Sequence, residues 1–255
     1  MAKQLTQENT LSSRGDSIQK ENTILGKLVY VELAGGVAIL SYGLYRYSRT
    51  ESMGWAILGG ILLFLAISHW MKTRENVKDA SRIKSGRSGE NFVSKILREE
   101  LPEDVFLLND IEINDGARTA QNDHILLHKS GLYLIETKTY GGTLKGNADD
   151  EKWIQKKETR GNVSKTRVTN PIKQNEYHRA VMEKFLENYR LSFAPGDIHC
   201  YVAMVVKQCE WNIAGDDHTV DYAWFLPQKI KTKLSETTYS AEDLEEFLEA
   251  LGLEK

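Results

Sequence analysis

Three charged residues, Asp123, Glu136 and Lys138, interrupt two short runs that are otherwise apolar. The runs are Asn122-Asp123-His124-Ile125-Leu126-Leu127-His128 and Leu132-Tyr133-Leu134-Ile135-Glu136-Thr137-Lys138. They read as adjacent β-strands, and charge inside buried strands is costly unless it is paired or bound to a metal. Lys129-Ser130-Gly131 makes the turn between them. A loop at 129–130 sets Asp123 opposite Glu136, whereas a loop at 130–131 sets it opposite Lys138 with Glu136 diagonal. Either register puts the three residues on one face, because side chains alternate along a strand.

Two or three carboxylates around one point form a site for Mg²⁺ or Mn²⁺, hard ions that take oxygen ligands. Such an ion would polarise a phosphoryl oxygen and orient a hydroxide for phosphodiester hydrolysis. The expected ligands are Asp123, Glu136, Glu90 and the backbone carbonyl of Thr137. Lys138 would hold the attacking water or neutralise charge on the phosphate. The competing reading is a structural Glu136–Lys138 ion pair, with Asp123 capping the strand start.

The positioning elements follow from pattern. Ser88 reads as the N-cap of a helix to Leu101, ended by Pro102, with a stripe of Phe92, Val93, Ile96, Leu97 and Leu101. Glu90 precedes Val93 and Leu97 by three and seven residues, so it aims along the inward face. Val105–Ile113 reads as a strand closed by Asn114-Asp115-Gly116. After the two opening strands come a short strand at Thr143–Gly146 and a charged loop. From Lys145 to Arg167 this stretch carries Lys145, Lys152, Lys156, Lys157, Arg160, Lys165 and Arg167 against Asp149, Asp150, Glu151 and Glu158, with Trp153 among them. It suits either a phosphate-contacting surface with a stacking aromatic or a solvated loop anchored by one Trp. Asn170-Pro171 opens a helix to about Tyr189. Ile198–Val206 and Val220–Leu226 read as strands, and Ser240 starts a last helix with a capping-box-like sequence.

Upstream, residues 1–27 are polar and read as a flexible segment. Leu28–Tyr47 and Gly54–Met71 are each close to the roughly 20 residues that cross a hydrocarbon core. Aromatic residues lie near their ends, and Gly35, Gly36, Gly43, Gly59 and Gly60 would permit close helix packing. Residues 28–71 are therefore expected to form a transmembrane hairpin, with a hairpin buried in a soluble domain as the alternative. Lys72, Arg74, Lys78, Arg82, Lys84 and Arg87 make 72–87 a basic linker. The connecting loop offers only Arg46 and Arg49, so both termini are expected in the cytoplasm. The expected setting is a multi-pass protein of the cytoplasmic membrane with its soluble domain inside. The net charge of −3 over 255 residues makes any nucleic-acid surface a local patch. Two cysteines, Cys200 and Cys209, are too few for a disulfide framework.

From Gly86 to Val206 the sequence resembles the nuclease-related domain (NERD) family, a branch of the PD-(D/E)xK nuclease superfamily. The resemblance rests on Ser88-Gly89-Glu90, Gln121-Asn122-Asp123-His124, Gly131 to Lys138, Trp153, and Asn170-Pro171 with Gln174. It implies an α/β fold with an αβββαβ core, a mixed sheet flanked by helices, spanning 88–255 behind the hairpin. It also implies divalent-metal dependence, with Glu90, Asp123, Glu136 and Lys138 as the active-site set and Gln174 in support. Asn122 stands where the superfamily often has Pro. The leading expectation is a membrane-anchored Mg²⁺- or Mn²⁺-dependent nuclease acting on DNA, in processing or in defence against foreign DNA such as phage. The alternative is a catalytically inactive nuclease-fold module that binds nucleic acid or a partner protein at the membrane. In that case binding survives loss of the carboxylates and weakens when Lys156, Lys157 or Arg160 is neutralised. A scaffold whose hairpin oligomerises through its glycines is compatible with either.

Overall fold

The computed structural model describes residues 1–6, 10–50, 53–216 and 219–253. In chain order the elements are β1 (Lys3–Thr6), α1 (Thr10–Thr50), α2 (Gly54–Glu100), β2 (Phe106–Asn114), β3 (Thr119–His128), β4 (Gly131–Lys138) and β5 (Gly142–Asn147). There follow β6 (Lys152–Thr159), β7 (Asn162–Thr169), α3 (Pro171–Tyr189), β8 (Ile198–Met204), β9 (Cys209–Ala214), β10 (Val220–Tyr222), α4 (Leu226–Lys231) and α5 (Ala241–Ala250). The chain divides into a helical unit, Thr10–Ser85, and an α/β unit from Gly86 onward that also includes β1.

The α/β unit is built on a six-stranded mixed sheet in the order β1-β2-β3-β4-β8-β10. Apolar alternation gives each face its own helices. Leu126, Tyr133 and Ile135 pack under Val93, Leu97 and Leu101 of α2 and under α4. Ile125, Leu127, Leu132 and Leu134 pack under Val181, Met182 and Phe185 of α3 and under Phe247 and Leu248 of α5. The β8 run is nearly continuous in apolar residues because both of its faces are covered, Tyr201 and Ala203 packing in one core and Ile198, Val202 and Met204 in the others. A second sheet, β7-β6-β5-β9, covers the end of β8 through Leu144, Trp153, Met204 and Val202.

Several expectations require correction. The segment read as flexible, 1–27, supplies a strand and the first turns of α1; residues 7–9 lie outside the described residues. β1 pairs in parallel with β2, Lys3 against Phe106, and is held further by the buried Ala2 beside it and by Arg98 donating to Gln4, so long-range contacts order a segment that no local side-chain pattern announces. No helix starts at Ser88, because α2 is already helical through the basic linker. Half of those sixteen residues are Lys, Arg, Glu or Ala, good helix formers, and extending a helix costs far less than nucleating one. The charged loop after β5 is the β6–β7 hairpin, turned by Arg160 and Gly161, both at positive φ (51° and 77°).

In the helical unit, α1 and α2 are long and apolar enough to cross a membrane by length and composition. They pack through small residues. A Cβ on Gly43 would lie 2.3 Å from the Ala56 nitrogen, and one on Gly59 would lie 2.4 Å from the Leu40 nitrogen. Gly35 and Gly60 face open space instead. Glu32 Oε2 meets His69 Nδ1 at 2.8 Å across the pair, and Lys72 meets Glu21 at 2.5 Å.

Candidate functional site

The β3–β4 pairing runs from His128↔Gly131 to His124↔Ile135, which leaves Lys129-Ser130 as a two-residue loop. Continued one step, that register puts Asp123 directly opposite Glu136. The parity argument therefore resolves to the first of its two alternatives. Asp123, Glu136 and Lys138 share the face covered by α3, at the end of β4 where the apolar rows of Leu132 and Leu134 give way to charge.

Most polar atoms there are engaged, and one carboxylate oxygen is not. Lys138 Nζ donates to Glu136 Oε1 at 2.5 Å and to Gln174 Oε1 at 3.0 Å. Asp123 Oδ2 accepts the Thr137 backbone N–H at 2.7 Å. Glu136 Oε2 is buried with no hydrogen-bond partner, and His178 Nδ1 lies 3.7 Å from it. Gln174 and His178 stand one turn apart on α3, whose start is fixed by Asn170. The Asn170 side chain accepts from the Ile172 N–H and donates to the carbonyls of Ala148 and Asp150.

On the opposite face a second polar set holds the same strands. His124 Nδ1 lies 2.6 Å from Asn109 Oδ1, and His124 Nε2 lies 3.2 Å from the Thr137 hydroxyl. With Asn109 accepting, Nδ1 carries the proton and Nε2 accepts from Thr137. Burial pushes His124 down to about 3, so this imidazole is neutral. Beside it α2 approaches closely: a Cβ on Gly89 would lie 2.5 Å from Thr139 Cγ2, so glycine is what allows Glu90 to reach the site.

Burial sets the electrostatics. Glu90 is raised to about 7 by burial first and then by the charges of Asp110 and Glu136, against Lys138 and Arg87. Asp123 is held well above the usual carboxylate range by burial and by Glu136, opposed by Lys138, while the Thr137 N–H works in the same direction as the lysine. Burial pulls Lys138 down, yet Glu136, Tyr140 and Asp123 together outweigh it and leave the ammonium raised. His178 is lowered by burial.

Glu90, Asp123, Glu136, Lys138 and Gln174 thus come together, and two further residues join them. Asp110 holds a left-handed backbone (φ 55°) at the β2 position opposite Asp123 and accepts from Gln121. His178 completes the α3 side. Asp110 sits in a run that reads as ordinary strand, and only its place one register step from Asp123 could have revealed it. The spacing of Gln174 and His178 by four was the available signal for the histidine.

The expected Mg²⁺ or Mn²⁺ site is not borne out. Among the described residues, no group of three or more His, Cys, Asp and Glu side chains is placed to hold a metal ion. The reason is visible in the contacts. Glu136 is turned onto Lys138 and Asp123 onto a backbone amide, so the carboxylates converge on a cation and an N–H of this chain instead of on a common point. The ligand set of Asp123, Glu136, Thr137 and Glu90 does not fit the ion. The structural ion pair, the competing reading of Glu136 and Lys138, is the arrangement found. Trp153 also departs from expectation. It is fully buried with its Nε1–H on the Asn147 carbonyl, and so is an anchor and not a stacking platform.

Comparison with known proteins agrees with this architecture. Over a 103-residue stretch the chain is 28% identical to an uncharacterized protein of Bacillus anthracis, covering 40% of this chain and 47% of that protein. The match thus spans about half the length of that curated relative. No solved structure matches the chain. The family described as "NERD: Nuclease-related domain" matches residues 85–205, the stretch that carries α2's last turns, the β2–β4 meander, α3 and β8. Residues 85–205 accordingly carry a NERD-domain fold, related in general terms to the PD-(D/E)xK superfamily.

Proposed function

We propose that this chain is a nuclease-fold module that binds nucleic acid at a membrane without hydrolysing it. The observation that carries the reading is the closure of the motif on itself, Glu136 against Lys138 at 2.5 Å with Gln174 behind. A lysine neutralised by an internal glutamate is not offered to a scissile phosphate, and carboxylates engaged by a lysine and an amide are not offered to an ion. The set then acts as an internally paired polar cluster of the fold, with Glu136 Oε2 its one buried oxygen left without a hydrogen bond. The NERD match supports nucleic acid as the partner class.

The membrane part rests on the helical unit. Its large apolar residues, among them Val31, Val37, Ile57, Ile61 and Phe64, are more than half exposed on the paired helices. A hairpin buried in a soluble domain would cover these side chains, whereas lipid would solvate them. Basic residues from Lys72 to Arg87 put the α/β unit on the cytoplasmic side.

The test uses the full chain in neutral detergent with labelled DNA and RNA, in EDTA and in Mg²⁺ or Mn²⁺. Binding in EDTA that Asp123→Asn preserves, with no strand cleavage in either ion, is the expected result. Metal-dependent cleavage by the unaltered chain that Asp123→Asn abolishes would overturn it.

A further inference from the structure

The second sheet has one covered face and one open face. On the covered side Leu144, Trp153, Cys209 and the half-buried Val168, Trp211 and Ile213 pack against β8 and β10. Alternate residues point the other way, and along β6 and β7 they are exposed: Lys152, Ile154 and Lys156 on one strand, Lys165, Arg167 and Thr169 on the other.

Register gathers four of the five cations of this face into two rows, with Lys152 beyond them opposite Thr169. Lys145 of β5 pairs with Ile154, which pairs with Arg167; Thr143 pairs with Lys156, which pairs with Lys165. Lys156 and Lys165 are therefore directly opposed, a placement of like charges that works against strand pairing. Among the described residues no ion pair engages Lys145, Lys156, Lys165 or Arg167, while other lysines and arginines of the unit do have carboxylate partners, as Lys173 has Glu176 and Arg179 has Glu183. In a chain of net charge −3, positive charge is thus concentrated where folding has no use for it.

We infer that this open face of β5, β6 and β7, with Lys145, Lys156, Lys165 and Arg167, is a binding surface for the phosphate backbone of duplex nucleic acid. This rests on the nucleic-acid-binding reading above and assigns it a place and a substrate class. The duplex is favoured by what the face lacks. Binding of single strands uses aromatic side chains on which bases stack, and Trp153, Trp211 and Tyr222 all belong to the covered side. What remains is the cations with Thr143 and Thr169, groups that contact phosphates and carry no sequence information, beside Ile154 and Val163 and with Glu158 and Glu210 at the margins of the face. Alternate residues on a strand lie about 6.8 Å apart, so Lys165 and Arg167 span about two steps of the 3.4 Å axial charge spacing on one nucleic-acid strand.

The experiment measures binding of the full chain, in neutral detergent, to a mixed-sequence DNA duplex of about 20 base pairs and to the matching single strand. Salt is varied from about 50 mM upward. Four neutralised phosphates give log K falling against log salt with a slope of about −3.6. The duplex is expected to bind more tightly than the single strand. The variant Lys145→Gln/Lys156→Gln/Lys165→Gln/Arg167→Gln is expected to flatten the slope by about 3 and to weaken duplex binding ~100-fold or more at low salt. Lys156→Arg/Lys165→Arg keeps both. All substitutions lie on a solvated face, and circular dichroism checks that the fold is kept. If the four-residue variant binds with an unchanged slope, or if the single strand binds as well as the duplex, this assignment falls while the parent reading stands. If the unaltered chain binds no nucleic acid, both fall. Binding through this face to phosphatidylserine vesicles, with no duplex binding, also overturns it in favour of a lipid surface.

Discussion

At the scale of single residues, the ion pair and Glu90 make opposite demands on stability. Lys138 and Glu136 are both largely buried, with side-chain exposures of 15% and 3%. Removing one partner strands a buried charge, which costs about 3–5 kcal/mol, whereas replacing both with apolar or neutral groups of similar shape costs much less. Lys138→Met should therefore lower unfolding stability by about that amount, and adding Glu136→Gln should restore most of it. A double-mutant cycle by denaturant unfolding of the full chain measures this; additive losses would mean the two side chains do not depend on each other. Glu90 behaves differently. Its carboxyl titrates near 7 when folded and at 4.5 otherwise, so the folded chain holds the extra proton between those values. Its contribution is fully present below 4.5 and is lost as pH rises through 7, above which a buried charge opposes folding. Glu90→Gln should melt at higher temperature than the unaltered chain at pH 8, the gap closing toward pH 5. A gap that stays constant with pH would show that the carboxyl is not the cause.

At the scale of elements, α2 and the end of β4 meet at a single small residue. Gly89 is helical, where alanine is ordinarily worth about 1 kcal/mol more than glycine, but its Cβ would collide with the Thr139 methyl at 2.5 Å. Overpacking of this kind costs about 1–3 kcal/mol. Gly89→Ala should thus destabilise the chain, and Thr139→Ser, which removes that methyl, should turn the same substitution neutral or favourable. Thermal melts of the two single variants and the double check the sign reversal. The same junction shows what the sequence could and could not disclose. The β3–β4 hairpin, α3 with its Asn170 cap and α5 with its Ser240–Asp243 box were legible, because apolar alternation and capping side chains are local signals. Whereas Gln174 entered only through the family resemblance, Asp123, Glu136 and Lys138 were legible as a cluster because strand parity fixes where they point. β1, β6, β7 and β9 were not, since a strand with one open face, or one ordered by a neighbour's backbone, leaves little apolar pattern. The metal expectation failed for a related reason. Parity places carboxylates on one face, but it says nothing of which way each carboxyl turns, and here the lysine two residues along decided that.

At the scale of the molecule, charge and apolarity are segregated along the chain. Large apolar side chains stay exposed on α1 and α2, and unpaired cations gather on the open sheet face of the α/β unit. If the first meets lipid and the second a nucleic acid, as proposed, the α/β unit has to lie on the side where nucleic acid is found. In the proposed membrane setting two crossings would leave both ends of the hairpin on one side. The excess of Lys72, Arg74, Lys78, Arg82, Lys84 and Arg87 over Arg46 and Arg49 would make that side the cytoplasm. A reporter active only in the cytoplasm should work when fused after the α/β unit and fall silent when inserted after Thr50. Activity at Thr50 with silence at the far end would reverse the orientation and separate the basic face from its proposed ligand. Reversing the charge bias, by replacing those six basic residues with Gln and adding lysines beside Arg49, should move the reporter signal from the far end to Thr50. The outcome reads the basic residues as the determinant, because the apolar segments themselves are left unchanged.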